Sequence, residues 1–157
     1  MQHNLVDLLT IEHILVGVEA KDARETIENL TTALVSTGDV VPEFAEDTFR
    51  REQVFPTGLP TQPIAVAIPH ADPDHVNQSA LCIGILKSPV YFAQMGTDGS
   101  ILLDVRLVFL LAIKEREKQV EMIEQLVTLI QTGTLLEAMI RAKDPTEVLK
   151  IIQKAVV

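Results

Sequence analysis

The sequence predicts an α/β fold, with a single mixed β-sheet flanked by α-helices on both faces. Three observations lead there. Short runs of branched apolar residues are separated by longer stretches whose apolar residues recur at helical spacing. The run Val105 to Ile113, "VRLVFLLAI", is the most apolar in the chain and reads as a central strand covered on both sides. The middle strands follow one another without long helical crossovers, so they cannot all be parallel.

The elements follow in order. His13 to Ala20, "HILVGVEA", is rich in branched residues and reads as the first strand. Asp22 is a helix N-cap, with Glu25 at capping-box spacing. Ala23, Ile27, Leu30 and Leu34 then form an apolar stripe that Gly38 ends. A second helix begins after Pro42, carries Phe44, Ala45, Thr48 and Phe49, and ends in the cluster Arg50-Arg51-Glu52. Phe55 to Pro63, "FPTGLPTQP", holds three prolines and a glycine, which forbid a helix and exclude a central strand. Ile64 to Ile68 and Ala80 to Leu86 are further strands. Val120, Ile123, Leu126, Val127 and Ile130 mark a third helix, and Leu135 to Ala142 a short fourth, after the break at Gly133. The last helix starts at Asp144-Pro145 and buries Val148, Leu149, Ile151 and Ile152. The predicted order is β-α-α-loop-β-β-β-α-α-α, in one domain over residues 1–157.

Bulk properties exclude several functions. The net charge of -9 offers no cationic footprint for nucleic acid, and tryptophan is absent, so base stacking is not expected. The single cysteine, Cys82, lies inside an apolar strand and reads as a buried small hydrophobe suited to a reducing compartment. The N-terminus lacks a Lys/Arg cluster before an apolar core, so it does not read as a signal peptide. No apolar run reaches the roughly 18 residues that span a bilayer. A cytoplasmic protein is expected.

Chemistry concentrates in "IAVAIPHADPDH", Ile64 to His75. A buried strand runs into a proline, then into two of the four histidines and two aspartates. Three readings compete. His70 and His75 with carboxylates suit zinc or iron, but a catalytic metal needs at least three ligands, and only His3 and His13 remain elsewhere. A polar turn is the second reading, with Asp72 or Asp74 as a cap. The third is nucleophilic catalysis by His70, which follows a strand directly, where open α/β sheets place their ligands. A neutral imidazole attacks phosphorus near pH 7 when a carboxylate or carbonyl fixes its other nitrogen and cations receive the phosphoryl oxygens. Asp72 and the Arg50/Arg51 pair are the right types.

The combined pattern "RREQVFPTGLP...IAVAIPHADPDHV" resembles the enzyme IIA domain of the fructose-mannitol-galactitol class of the bacterial sugar phosphotransferase system. The resemblance rests on Arg51-Glu52, Pro56-Thr57-Gly58 and the strand Ile64 to His70, and extends over nearly the whole chain. It implies a fructose/mannitol-type IIA fold and a phosphoryl carrier without metal or organic cofactor. Phosphorylated HPr would dock on an apolar patch, and His70 would accept the phosphoryl group on Nε2. A IIB cysteine would receive it next, for a sugar entering through the membrane IIC component. Arg51 would stabilise the phosphoryl charge. One departure stands out. Where mannitol and fructose types carry a second histidine, in a segment like "NEHIQ", this chain reads "EREKQVEMI", with Lys118 at about that place. Galactitol-type proteins resemble it instead in the "FPTG" loop and in "PHxDxxHV", so His75 is expected to replace the missing histidine, and a galactitol-like IIA protein is the first expectation. The alternative is a nitrogen-regulatory relative that signals by its phosphorylation state.

Overall fold

A computed structural model of the chain describes residues 4–155. Five strands form one sheet: β1 (Ile14–Val18), β2 (Gly58–Leu59), β3 (Ala65–Ala67), β4 (Ala80–Ala93) and β5 (Leu102–Ala112), in the order β1-β4-β5-β3-β2. β1 runs parallel to β4, and β3 parallel to β5, while β4/β5 and β2/β3 are antiparallel. The sheet is therefore mixed, as expected, with β5 at its centre. Five α-helices cover it: α1 (Ala23–Ser36), α2 (Phe44–Val54), α3 (Arg116–Ile130), α4 (Gly133–Arg141) and α5 (Pro145–Ala155).

Both faces of the sheet are buried, and each has its own core. Leu81, Ile83 and Ile85 of β4 with Leu107, Phe109 and Leu111 of β5 face Met122, Leu126 and Ile130 of α3, together with α4 and α5. Cys82 and Leu86 of β4 with Val108, Leu110 and Ala112 of β5 face Ile27, Leu30 and Leu34 of α1 and Phe44 of α2. Alternation within an almost unbroken apolar run supplies both layers. At Gly84 the fit is close. A Cβ there would lie 2.8 Å from Leu30 Cδ1, so α1 sits directly on β4.

The helix punctuation behaves as the residues dictate. Asp22 Oδ1 accepts the Glu25 amide at 2.8 Å. Gly38 takes φ 78° past the end of α1, with the Gly38 amide on the Val35 carbonyl and the Asp39 amide on that of Leu34, a Schellman arrangement. Asp144 Oδ1 accepts the Glu147 amide at 2.9 Å at the start of α5.

Several boundaries differ from expectation, among them those of β5, which starts at Leu102, and α4, which starts at Gly133, the expected break. The first strand starts at Ile14, because His13 ends a short 3₁₀ turn. α2 continues past Arg50-Arg51-Glu52 to Val54, since nothing in the charged cluster breaks a helix. The proline-rich loop contains the two-residue edge strand β2, a position where neighbouring prolines cost no ladder bonds. β4 does not stop at Leu86. It passes through an irregularity between Ile85 and Val90, where Pro89 lies, and pairs again with β5 through Ala93. This extension reaches the loop before β3: Gln94 bridges to Gly58, and the Met95 amide donates to the Gly58 carbonyl at 2.8 Å.

Candidate functional site

β3 delivers the chain to the site. It runs beside β5 and ends at Ala67, and the backbone of His70 still bridges to Leu111 while the Leu111 amide donates to the Pro69 carbonyl at 3.1 Å. Pro69 cannot donate to a ladder and closes the strand. His70 is thus presented from the sheet on a braced backbone.

The His70 ring is 7% exposed, and its Nδ1 lies 2.9 Å from the Ile68 carbonyl oxygen. A carbonyl only accepts, so Nδ1 carries the proton, and in the neutral ring the lone pair is on Nε2. Burial pushes the imidazole pKa below its ordinary 6.5. The Ile68 bond raises it, the charge of Arg51 lowers it further and Asp72 raises it, and the balance is downward. A neutral ring with a fixed tautomer and a bare Nε2 is a competent nucleophile at neutral pH.

Arg51 comes from the last turns of α2. Its guanidinium carbon lies 5.1 Å from the centre of the exposed Phe55 ring, and its buried Nε has no hydrogen-bond partner among the described residues. Arg51, Arg50, Phe55, Ala71 and Asp72 help to line a cavity of about 310 Å³ next to His70 in the chain. Asp47 and Asp74 line it too, so two guanidinium groups face three carboxylates beside the Phe55 ring.

The other expected residues are placed differently. Asp72 does not hold the His70 ring, since the Ile68 carbonyl does that; it pairs with Arg116 at 3.2 Å on the exposed rim. Asp72 precedes the 3₁₀ turn Pro73–His75 without a side-chain capping bond. His75 ends that turn, and its Nδ1 hydrogen-bonds Asp47 Oδ2 of α2. That bond and the neighbouring carboxylates Glu43 and Asp74 raise the His75 pKa above 6.5. His75 therefore ties the loop after His70 to the helix that carries Arg51. Lys118 lines a separate groove with Asp7, Asn77, Lys114 and Met122, which shares no lining residue with the cavity beside His70. Besides Arg116, α3 reaches the site loop through Gln119, whose Nε2 donates to the Ala71 carbonyl at 2.8 Å. One step along a helix turns a side chain by about 100°, so Lys118 and Gln119 face different surroundings.

Two residues with no role in the sequence reading also belong here. Glu52 is 7% exposed; its Oε2 accepts the Thr57 amide at 2.8 Å and its Oε1 the Thr57 hydroxyl at 2.7 Å. The Thr57 hydroxyl in turn accepts the Ile68 amide at 3.2 Å. Both residues stand in the quoted motif, yet a carboxylate at a charged helix end looks like surface. Burial pushes the Glu52 pKa up to about 7 from 4.5, against the two Thr57 bonds and the Arg51 charge. A group held protonated by folding stabilises below its unfolded pKa and loses that contribution as pH rises through the folded one. Stability is therefore expected to fall between about pH 4.5 and 7, by about 3 kcal/mol. Urea melts across that range check it: Glu52→Gln should flatten the slope, and an unchanged slope would place its origin elsewhere.

Among the described residues, no group of three or more His, Cys, Asp or Glu side chains could hold a metal ion. His13 is committed elsewhere, with Nε2 2.7 Å from Thr37 Oγ1 and 3.2 Å from Asp39 Oδ2, and His3 lies outside the described residues. Nor, among the described residues, is any helix long and apolar enough to cross a membrane.

A mixed sheet with a buried histidine at the end of β3 defines the mannitol-type IIA fold. The chain superposes on enzyme IIA mannitol of Escherichia coli, solved in complex with phosphorylated enzyme IIB mannitol, with a TM-score of 0.75 at 25% identity, over 93% of this chain and 97% of that one. The nitrogen regulatory protein IIA-Ntr of Neisseria meningitidis shares the fold, with a TM-score of 0.77 at 22% identity over 94% and 98%. In sequence, the galactitol-specific EIIA component of Escherichia coli K12 is 26% identical over 124 residues, 79% of this chain and 81% of the relative. Residues 7–155 match the family described as phosphoenolpyruvate-dependent sugar phosphotransferase system, EIIA 2. The chain belongs to that family, whose members are phosphotransferases.

Proposed function

We propose that this protein carries a phosphoryl group on His70 between phosphorylated HPr and a IIB cysteine, in the cytoplasmic uptake of galactitol or a related polyol. The observation that supports it most is the His70 ring: its Nδ1–H is spent on the Ile68 carbonyl, which leaves Nε2 as the attacking atom. Attack on phosphorus forms the Nε2–P bond as the donor's N–P bond breaks; in the onward step a IIB thiolate forms a S–P bond as the Nε2–P bond breaks and the lone pair returns to Nε2. Arg51 receives the charge on the transferring oxygens. No general base is needed, because the attacking nitrogen carries no proton. The exposed Val54 and Phe55 beside Arg51 are the apolar patch on which HPr docks, with IIB taking its turn there. IIC is reached only through IIB.

His75 acts as a helper, anchored by Asp47 and donating from Nε2 to the phosphoryl group. Asp72 and Lys118 have weaker claims, the first through its charge on His70, the second as a distant cation. His75→Ala is expected to slow transfer without abolishing it, and wild-type rates in both directions would reduce His75 to a turn residue.

The test is incubation with phosphoenolpyruvate, enzyme I and HPr, with intact mass read at neutral and acid pH. An acid-labile gain of one phosphoryl group is expected, followed by its loss to a galactitol-type IIB domain. A regulatory protein of the kind named among the structural neighbours would gain the group but pass it to no IIB cysteine. No gain, with HPr charged, would overturn the carrier function.

A further inference from the structure

Behind His70 lies a chain of hydrogen bonds that runs in one direction. Thr57 gives its only hydroxyl hydrogen to Glu52 Oε1 at 2.7 Å, so its oxygen is free only to accept, and it accepts the Ile68 amide at 3.2 Å. Ile68 then offers its carbonyl to the His70 Nδ1–H at 2.9 Å. Pro69 follows, so the peptide that carries this carbonyl has no N–H of its own through which to be anchored. Its orientation depends on how residue 68 is held on one side and, on the other, on the Pro69 carbonyl that accepts the Leu111 amide. Glu52, Thr57 and His70 are all buried, and Glu52 forms no ion pair among the described residues. A carboxylate kept out of water with a single threonine as partner is costly as a purely structural device. The two bonds to Thr57, one from its amide and one from its hydroxyl, leave that threonine a single rotamer.

We infer that Glu52, acting through Thr57, is a positioning residue for His70: the Glu52–Thr57 pair sets the Ile68 backbone and thereby the tautomer and ring angle of the attacking imidazole. Its effect on phosphoryl transfer rests on the carrier function above; its effect on the tautomer does not. Without the hydroxyl, the Ile68 amide loses its acceptor, residue 68 relaxes, and the carbonyl no longer holds Nδ1–H. Part of the His70 population then carries its proton on Nε2, where it blocks attack.

The test compares wild type with Thr57→Val, which keeps the shape and removes the hydroxyl, Thr57→Ser, which restores it, and Glu52→Gln. Imidazole ¹⁵N shifts of the unphosphorylated proteins report the His70 tautomer, and single-turnover transfer from phosphorylated HPr reports the rate. Wild type should show one tautomer, protonated on Nδ1. Thr57→Val should show a mixture and accept phosphoryl roughly tenfold more slowly or worse, with the half-saturating HPr concentration unchanged. Thr57→Ser should regain both properties, and Glu52→Gln should fall between. A Thr57→Val protein with the wild-type tautomer overturns the inference, whatever its rate. If either variant fails to fold, the wild type alone decides. Its His70 ¹⁵N shifts should move in step with the Glu52 carboxyl titration near pH 7, and shifts indifferent to it overturn the inference. A wild type that HPr cannot charge would defeat the carrier function and leave the tautomer result standing.

Discussion

His70→Ala is expected to lose phosphoryl acceptance entirely while keeping its fold. Among the described residues, no other histidine or cysteine is placed to take over the chemistry; His13 is buried against Thr37 and Asp39. Cys82 is fully buried between β5 and α1, and burial pushes its thiol up to about 12, so no thiolate is available. His75 is half-buried, and Asp47 favours its protonated form, which has no lone pair to offer. The substitution leaves the Ile68 carbonyl without its side-chain partner and a small void at the end of β3, a cost of about 1–3 kcal/mol that two cores of this size tolerate. Intact mass after incubation with enzyme I, HPr and phosphoenolpyruvate, beside a thermal melt, separates lost chemistry from lost fold. A folded His70→Ala protein that still gains an acid-labile phosphoryl group would sink the assignment. The wild type adds a pH signature. Because burial lowers the His70 pKa, the acceptance rate should begin to decline at a lower pH than an ordinary imidazole would set.

Arg51→Ala should leave binding of the donor nearly intact and slow the transfer itself. The guanidinium is held against the Phe55 ring beside the His70 cavity, so it is in place before charge develops on the phosphoryl oxygens. Preorganised donors of this type contribute about 2–4 kcal/mol to a transition state, roughly 30- to 1000-fold in rate. Arg51→Lys should recover little, because a point charge replaces a planar guanidinium held over the Phe55 ring. Rapid-quench transfer from phosphorylated HPr gives the number. An unchanged rate would shift the role to Arg50, which lines the same cavity but is exposed and lies 4.0 Å from Glu46.

The architecture is legible where the physics is local. β5 is visible because its apolar run has no breaker, and α1 because Asp22, the Ile27-Leu30-Leu34 stripe and Gly38 all point to one helix. The second half of β4 is not legible. Lys87, Ser88 and Pro89 look like a turn, and only pairing with β5 across the irregularity shows that the strand resumes. The site divides the same way. His70 stands out because an apolar strand ending in Pro-His is unusual, whereas the partner of its Nδ1 is a backbone atom that carries no sequence signal. Glu52 and Thr57 both stand in the motif that carries the resemblance, but five residues apart, and only the turn between them brings one over the other. Gln119 is hidden by helical phase: polar residues fill the first turn of α3, and the one that reaches Ala71 is fixed by how the helix lies on the sheet.

The loop that carries His70 is held from both sides of the sheet. Glu52 and Thr57 reach it from the layer of α1 and α2, and Gln119 from the layer of α3, α4 and α5. These layers have separate cores, so each can open locally without global unfolding. Competence is then expected to require both to be closed at once. Amide exchange measured in each layer would read those local openings directly. A mutation deep in either core, far from any phosphoryl group, would register first as a smaller population of competent carrier, well before the protein as a whole began to melt.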